Sequence, residues 1–162
     1  MLGGIQNSKL LVTNLIDHAA REHTNREIVS YWADGSLTRS NWGEIGLEAR
    51  KFSQVLQKLG MKKGDRIATI AMNHVHHLAT WYGTAGIGGV LHTINPRLFE
   101  EQLVYICNHA EDRVLLFDKM FTPIIELIKP QLKTVEHFIQ FDGEKGEYST
   151  YRELVDAEDG DF

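Results

Sequence analysis

Apolar residues along this chain fall into two patterns, steps of three and four that mark helices and short unbroken runs that mark buried strands. Over residues 13–23, Leu15, Ile16, Ala19 and Ala20 share one face, which predicts a short amphipathic helix with Thr13 capping its first turn. The runs 27–32 and 37–39 flank Asp34-Gly35, a pair that tolerates the positive φ of a tight turn, and predict a β-hairpin over 27–40. Trp42, Ile45, Ala49, Phe52, Val55, Leu56 and Leu59 form a single stripe, the clearest helical signal in the sequence. Asn41 and Glu44 have capping-box spacing at its start, and Gly60 suits the left-handed residue that ends a helix.

The pattern then alternates. Gly64-Asp65-Arg66 turns the chain into Ile67-Ala68-Thr69-Ile70-Ala71-Met72, apolar almost throughout and therefore expected to be buried on both faces. Helices are predicted over 74–86, 99–109 and 121–128, the last stopped by Pro130, with strands over 90–93, 114–117 and 135–141 between and after them. Strands separated by helices imply right-handed crossovers and a parallel sheet. The fold class is α/β, a mostly parallel sheet with flanking helices plus an N-terminal β-hairpin. Residues 143–162 carry one possible helix near 151–157 and the run Glu158-Asp159-Gly160-Asp161, and are expected to form a poorly anchored acidic tail. Residues 1–162 read as a single incomplete domain.

Composition narrows the range of partners. With 162 residues, 43% of them hydrophobic, there is material for one core but hardly for two. A formal charge of −5 attracts neither nucleic acid nor an anionic membrane, so small molecules or proteins are the expected partners. Cys107, the single cysteine, excludes an intrachain disulfide and a cysteine-cluster metal site and suits a reducing, cytoplasmic setting. Residues 1–8 lack the basic flank and apolar core of a signal peptide, Gly3 stands one place late for myristoylation, and no apolar run reaches membrane-spanning length.

Several residues invite a chemical reading, and each has a structural alternative. The glycines of Tyr82-Gly83-Thr84-Ala85-Gly86-Ile87-Gly88-Gly89 suggest a phosphate loop, but no Lys-Ser/Thr follows and the spacing is not G-x-G-x-x-G; close packing and helix termination are the alternative. His74, His76 and His77 cluster at a helix start without an identifiable further metal ligand, and partly exposed first-turn histidines are the expectation. His92 reads as a hydrogen-bonded core residue. Asp118, at the end of a strand, sits where a phospho-acceptor would, but Met72-Asn73 supplies no companion carboxylates, so a turn or cap role is expected. Arg97, after Asn95-Pro96, offers a bidentate anion contact unless Glu100 or Glu101 engages it. There is no serine nucleophile elbow, catalytic cysteine context or zinc-protease motif.

The order of signatures carries more than any one of them. The hairpin ending Leu37-Thr38-Arg39, the long amphipathic helix, Leu59-Gly60-Met61-Lys62-Lys63-Gly64-Asp65-Arg66-Ile67-Ala68, and Gly88-Gly89-Val90-Leu91-His92-Thr93-Ile94-Asn95-Pro96-Arg97-Leu98 resemble the N-terminal region of adenylate-forming acyl-CoA synthetases. Gln102-Leu103-Val104-Tyr105-Ile106 and His109-Ala110-Glu111-Asp112-Arg113-Val114-Leu115-Leu116-Phe117-Asp118 continue the resemblance, most closely to the medium- and long-chain fatty-acid branch. It covers residues 11–141 and implies part of the large N-terminal domain of such an enzyme.

The resemblance implies two half-reactions in a longer parent. ATP and Mg²⁺ convert a fatty or other carboxylic acid to an acyl-adenylate with loss of pyrophosphate, and the thiol of coenzyme A then displaces AMP. The family's Ser/Thr/Gly-rich loop ending in Pro-Lys-Gly, its aromatic–Thr-Glu motif, its ribose-binding aspartate and its C-terminal lysine are all missing from this sequence. No catalytic or metal-binding residue is therefore assigned; Arg97 and Arg113 are candidates for contacts to coenzyme A phosphates. The fragment alone is expected to bind none of these cofactors and to be inactive. A homodimer is a further implication. The alternatives are a free-standing α/β binding or scaffold module and an aryl-acid CoA ligase of the same superfamily.

Overall fold

A computed structural model describes residues 3–4 and 7–162, so the reading of residues 1–8 lies partly outside the described residues. Helix α1 (Thr13–Glu22) buries Ile16 but leaves Leu15 exposed, and its N-cap position falls on Val12 with no side-chain cap. Thr13 is already inside the first turn, one place too late to cap it. Strands β1 (Glu27–Tyr31) and β2 (Leu37–Asn41) pair antiparallel as the predicted hairpin, with Gly35 at φ +87° in the connecting loop. In helix α2 (Trp42–Lys58), Asn41 Oδ1 accepts the Glu44 N–H at 2.9 Å. The Glu44 carboxylate takes the Ser40 hydroxyl. Gly60 follows at φ +79°.

The remaining elements are β3 (Arg66–Ile70), α3 (Val75–Gly86), β4 (Val90–Thr93), α4 (Glu100–Ala110), β5 (Asp112–Phe117), α5 (Thr122–Ile128), β6 (His137–Gln140), β7 (Ser149–Thr150) and α6 (Tyr151–Asp156). The larger sheet has five strands in the order β4-β3-β5-β6-β7, and every neighbouring pair is parallel. Alternate residues of the central strand β5 serve opposite layers. Val114 and Leu116 pack with Ile67 and Ile139 against Phe52, Val55 and Leu56 of α2 and Tyr151 and Val155 of α6. Leu115 and Phe117 pack with Ala68 and Ile70 against Leu103 and Cys107 of α4 and Ile125 and Ile128 of α5. A third cluster, Ile16, Ile45, Val75 and Ala79, joins α1, α2 and α3 and seats Ile28 and Trp32 of the hairpin.

Two glycines set how closely α2 and α3 approach. A Cβ on Gly83 would lie 2.6 Å from the Ala49 carbonyl oxygen, and one on Gly86 would lie 2.5 Å from Ser53 Oγ. The Ser53 hydroxyl donates to the Gly83 carbonyl at 2.8 Å across the same seam. The glycine-rich stretch is thus helix up to Gly86 followed by a turn, and its glycines serve packing.

The C-terminal segment corrects one expectation from the sequence. Residues 143–162 are packed against the body of the domain: β7 extends the sheet, Tyr151 is fully buried, and Lys58 pairs with Glu158 at 2.6 Å. Gln54 of α2 holds the acidic run at both ends of its amide, Nε2 donating to Asp159 and Oε1 accepting the Gly160 N–H at 2.8 Å. The acidic residues conceal this docking in the sequence, because the anchors are polar partners more than ninety positions away.

Candidate functional site

Strand β3 leads to α3 on one face of the sheet, while neighbouring β5 leads to α5 on the other. Adjacent strands whose connections part in this way leave a crevice outside their carboxyl ends, the usual ligand position in open α/β sheets. Here it is a cleft of about 660 Å³ lined by Met72 and His74 after β3, Asp118, Lys119 and Met120 after β5, Asp142 and Gly143 after β6, and Tyr31, Trp32 and Asp34 of the hairpin.

At its base lies a buried His–Asp pair. His74 Nε2 donates to Asp118 Oδ1 at 2.9 Å, Asp118 Oδ2 accepts the Met72 N–H at 2.7 Å, and the Trp32 indole stacks on the imidazole with centroids 4.4 Å apart. The arrangement has the look of a general-base dyad, but the second imidazole nitrogen is occupied. His74 Nδ1 accepts the His77 N–H and caps α3. With both nitrogens committed, His74 has no lone pair to offer a substrate. The pair ties the end of β5 to the start of α3. Asp118 keeps the expected turn role through its backbone, standing at the start of the 3-10 turn Lys119–Phe121 with its carbonyl accepting the Phe121 N–H at 2.8 Å, but its carboxylate does not cap that turn and works across the sheet instead.

The other histidines are also engaged. His77 reaches Thr69 Oγ1 and the Met72 carbonyl, and burial holds its imidazole below the ordinary value. His76 Nδ1 meets Glu48 at 2.6 Å. Burial works against ionisation of Glu48, yet His76, Tyr151 and Arg152 together keep its carboxyl below the ordinary range. Among the described residues no group of three His, Cys, Asp or Glu side chains is placed to hold a metal. The expectation of partly exposed first-turn histidines fails at His74, which the hairpin tryptophan covers. His92 is hydrogen-bonded, its Nδ1 2.8 Å from the fully buried Asp112.

The two arginine candidates differ. Arg113 is clamped between Asp65 and Glu136, each at 2.7 Å, and the paired carboxylates push its already high pKa further up. Arg97 is exposed and makes no ion pair among the described residues; neither Glu100 nor Glu101 engages it. Its backbone is fixed instead, the Arg97 N–H donating to Asn95 Oδ1 at 3.0 Å. The cleft's own charges do not suit a triphosphate, because among the described residues Asp34, Asp118 and Asp142 face it with Lys119 as the one lining cation. Tyr31 and Trp32 line this site without any signal in the spacing of the sequence, because the hairpin reaches it through tertiary packing.

Comparison with known proteins fits this architecture. The family model described as "AMP-binding enzyme" matches residues 16–160. The chain is 49% identical to 3-methylmercaptopropionyl-CoA ligase of Ruegeria lacuscaerulensis, an alignment covering 100% of this chain and 31% of the relative. It is 48% identical to medium-chain-fatty-acid–CoA ligase of Ectopseudomonas oleovorans over 86% of this chain and 26% of that protein. Among solved structures, a long-chain-fatty-acid-CoA ligase from Archaeoglobus fulgidus superposes with a TM-score of 0.83 at 20% identity, over 98% of this chain and 32% of that one. The chain spans less than a third of the length of these proteins, and it belongs to the AMP-binding enzyme family.

Proposed function

We propose that the parent of this chain is an ATP- and Mg²⁺-dependent fatty-acid–CoA ligase that forms an acyl-adenylate and passes the acyl group to coenzyme A. The observation that carries this is the near-50% identity to ligases named for medium-chain fatty acids and for 3-methylmercaptopropionate. This chain supplies scaffold. Its cleft presents carboxylates and a committed histidine, so the phosphate chemistry falls to residues outside it, and the 162 residues alone are inactive. The test is pyrophosphate exchange and thioester formation by the parent and by the isolated chain. A panel runs from short thioether acids through medium- and long-chain fatty acids to aryl acids. The expected result is turnover of medium-length aliphatic acids by the parent and none by the chain. Exchange catalysed by the chain, or a parent that prefers aryl acids, overturns the reading.

A short thioether acid is the second reading, favoured by the name of the relative at 49% identity. Within either, Arg97 is the better candidate for a coenzyme A phosphate, because it is exposed and makes no ion pair among the described residues whereas Arg113 is clamped. Arg97→Ala in the parent then raises KM for coenzyme A several-fold with the acid's KM unchanged, and Arg113→Ala lowers the melting temperature instead. Equal effects of the two on KM would refute the assignment. Cytoplasmic residence and a homodimeric parent belong to the same proposal; sedimentation of the parent at micromolar concentration tests the second.

A further inference from the structure

The sequence holds the pairs Asp34-Gly35, Asp142-Gly143 and Asp159-Gly160. Aspartate followed by glycine is the dipeptide in which a backbone nitrogen reaches the preceding carboxyl most freely, because the attacking residue has no Cβ to obstruct a close approach. In each pair the glycine has positive φ, at +87°, +88° and +80°. Local backbone therefore does not separate them; their surroundings do. The Asp159 carboxylate takes the Gln54 amide at 2.7 Å, the Gly160 N–H donates to the other end of that amide at 2.8 Å, and a Cβ on Gly160 would lie 2.5 Å from Leu47 Cδ1. Asp142 is half-buried with Oδ1 accepting the Lys119 N–H at 2.6 Å, and a Cβ on Gly143 would meet Lys119 at 2.9 Å and Gln140 at 3.0 Å. Both carboxylates are directed at partners elsewhere in the fold, and neither glycine has room for a new ring.

Asp34 differs on both counts. It and Gly35 are exposed in the hairpin loop, and among the described residues only the Tyr31 hydroxyl, at 3.6 Å, comes within 4 Å of a Cβ built on Gly35. Asp34 Oδ1 accepts the Ser36 N–H at 2.9 Å, which folds the side chain back over the Gly35 peptide and brings its Cγ beside the Gly35 nitrogen. The loop also matters to the cleft. The Trp32 N–H donates to the Ser36 carbonyl and the Gly35 N–H to the Trp32 carbonyl, each at 2.9 Å, and Trp32 is the residue stacked on His74.

We propose that Asp34-Gly35 is a site of spontaneous backbone modification, at which Asp34 isomerises to isoaspartate through a cyclic imide and loosens the tryptophan cover over His74, while the fold protects Asp142 and Asp159. The Gly35 nitrogen bonds to Asp34 Cγ and gives up its proton, the Cγ–O bond of the protonated carboxyl breaks, and hydroxyl and proton leave together as water. A second water then opens the imide. Attack at Cγ restores aspartate; attack at the former backbone carbonyl leaves Gly35 linked through Cγ, with the main chain one carbon longer. Water lost is water regained, and no oxidant or cofactor enters. The added carbon falls inside the turn closed by Trp32 and Ser36, so the turn's bonds no longer fit and Trp32 shifts on His74.

Ageing the protein in heavy-oxygen water, then digesting it in ordinary water and mapping the peptides, tests the proposal independently of ligase activity, since each passage through the imide introduces a solvent oxygen. Ser36 holds the Asp34 carboxyl below the ordinary carboxylate range, so the incubation is run at mildly acidic pH, where the reactive protonated form is better populated. In the folded protein the Asp34 peptide should take up label roughly ten-fold or more faster than the Asp142 and Asp159 peptides and yield a separate isoaspartate peak, whereas in urea all should react at similar rates. Asp34→Glu keeps the charge but requires a larger ring, so its peptide should stay unlabelled. Tryptophan emission should shift on ageing in the unaltered protein and hold steady in Asp34→Glu. Equal labelling of the pairs in the folded protein, or faster labelling at Asp142 or Asp159, would overturn the site. Unchanged emission from the isolated isoaspartate form would overturn its effect on Trp32.

Discussion

At the scale of single residues, the sharpest electrostatic feature is Asp112, wholly buried at the start of β5 with His92 as its partner. The hydrogen bond from His92 to Asp112 holds the imidazolium above the ordinary value of 6.5, against the effect of burial. A histidine whose folded pKa is raised contributes its full stabilisation below the unfolded value and loses it as the pH climbs through the folded one. Urea unfolding should therefore show stability falling as the pH rises above 6.5, and His92→Leu should remove that slope and cost roughly 2–3 kcal/mol at lower pH by stranding a buried carboxylate. Cys107, wholly buried, also feels this carboxylate. Burial, with Asp112, pushes its thiol up to about 12, so the thiol should alkylate only as fast as the protein opens. Tyr151 offers a contrasting case: its hydroxyl is buried near Glu48 and Thr80 without a hydrogen bond of good geometry. Tyr151→Phe should be neutral or stabilising by up to about 1 kcal/mol in thermal melts, and a loss above that would show the hydroxyl to be paired.

Elements are legible in the sequence where a single period governs them, and less so where packing between distant segments decides the outcome. The stripe from Trp42 to Leu59 and the cap at Asn41 lie within a residue of α2, because apolar spacing, cap and terminating glycine all agree locally. The continuous apolar run after Arg66 marks a central strand for the same reason. The β7 strand has two residues and no period to detect, and α6 docks through Tyr151 and Gln54, so nothing local marks the segment as anchored. The site is less visible than the fold: Asp118 and His74 each stand out alone, but their pairing spans forty-four positions and depends on the sheet order. The α2–α3 seam tests this scale. Gly83→Ala pushes a methyl toward the Ala49 carbonyl and the Phe52 ring, both within about 3 Å of the new carbon, and neither can yield without moving a helix. A loss of roughly 2–3 kcal/mol is expected, whereas a gain from better helix propensity would mean that the seam is looser than drawn.

For the molecule as a whole, the two apolar layers meet in one strand. Val114, Leu115, Leu116 and Phe117 have no exposed surface, and their alternation locks the α2–α3–α6 layer to the α4–α5 layer through a shared backbone. Loss of either layer uncovers one face of β5, Val114 and Leu116 on one side or Leu115 and Phe117 on the other. Trp32, Trp42 and Trp81 report on the first layer alone, since the hairpin, α2 and α3 carry them. Leu115 faces the second. Leu115→Ala should cost about 3 kcal/mol by opening a cavity under α4. If the domain unfolds as one unit, the tryptophan fluorescence midpoint should fall by the same amount as the circular dichroism midpoint, although no tryptophan touches the cavity. Separated midpoints would mean that the α4–α5 layer opens independently. In that case β5 would hold its two layers only loosely, and each layer would have its own stability.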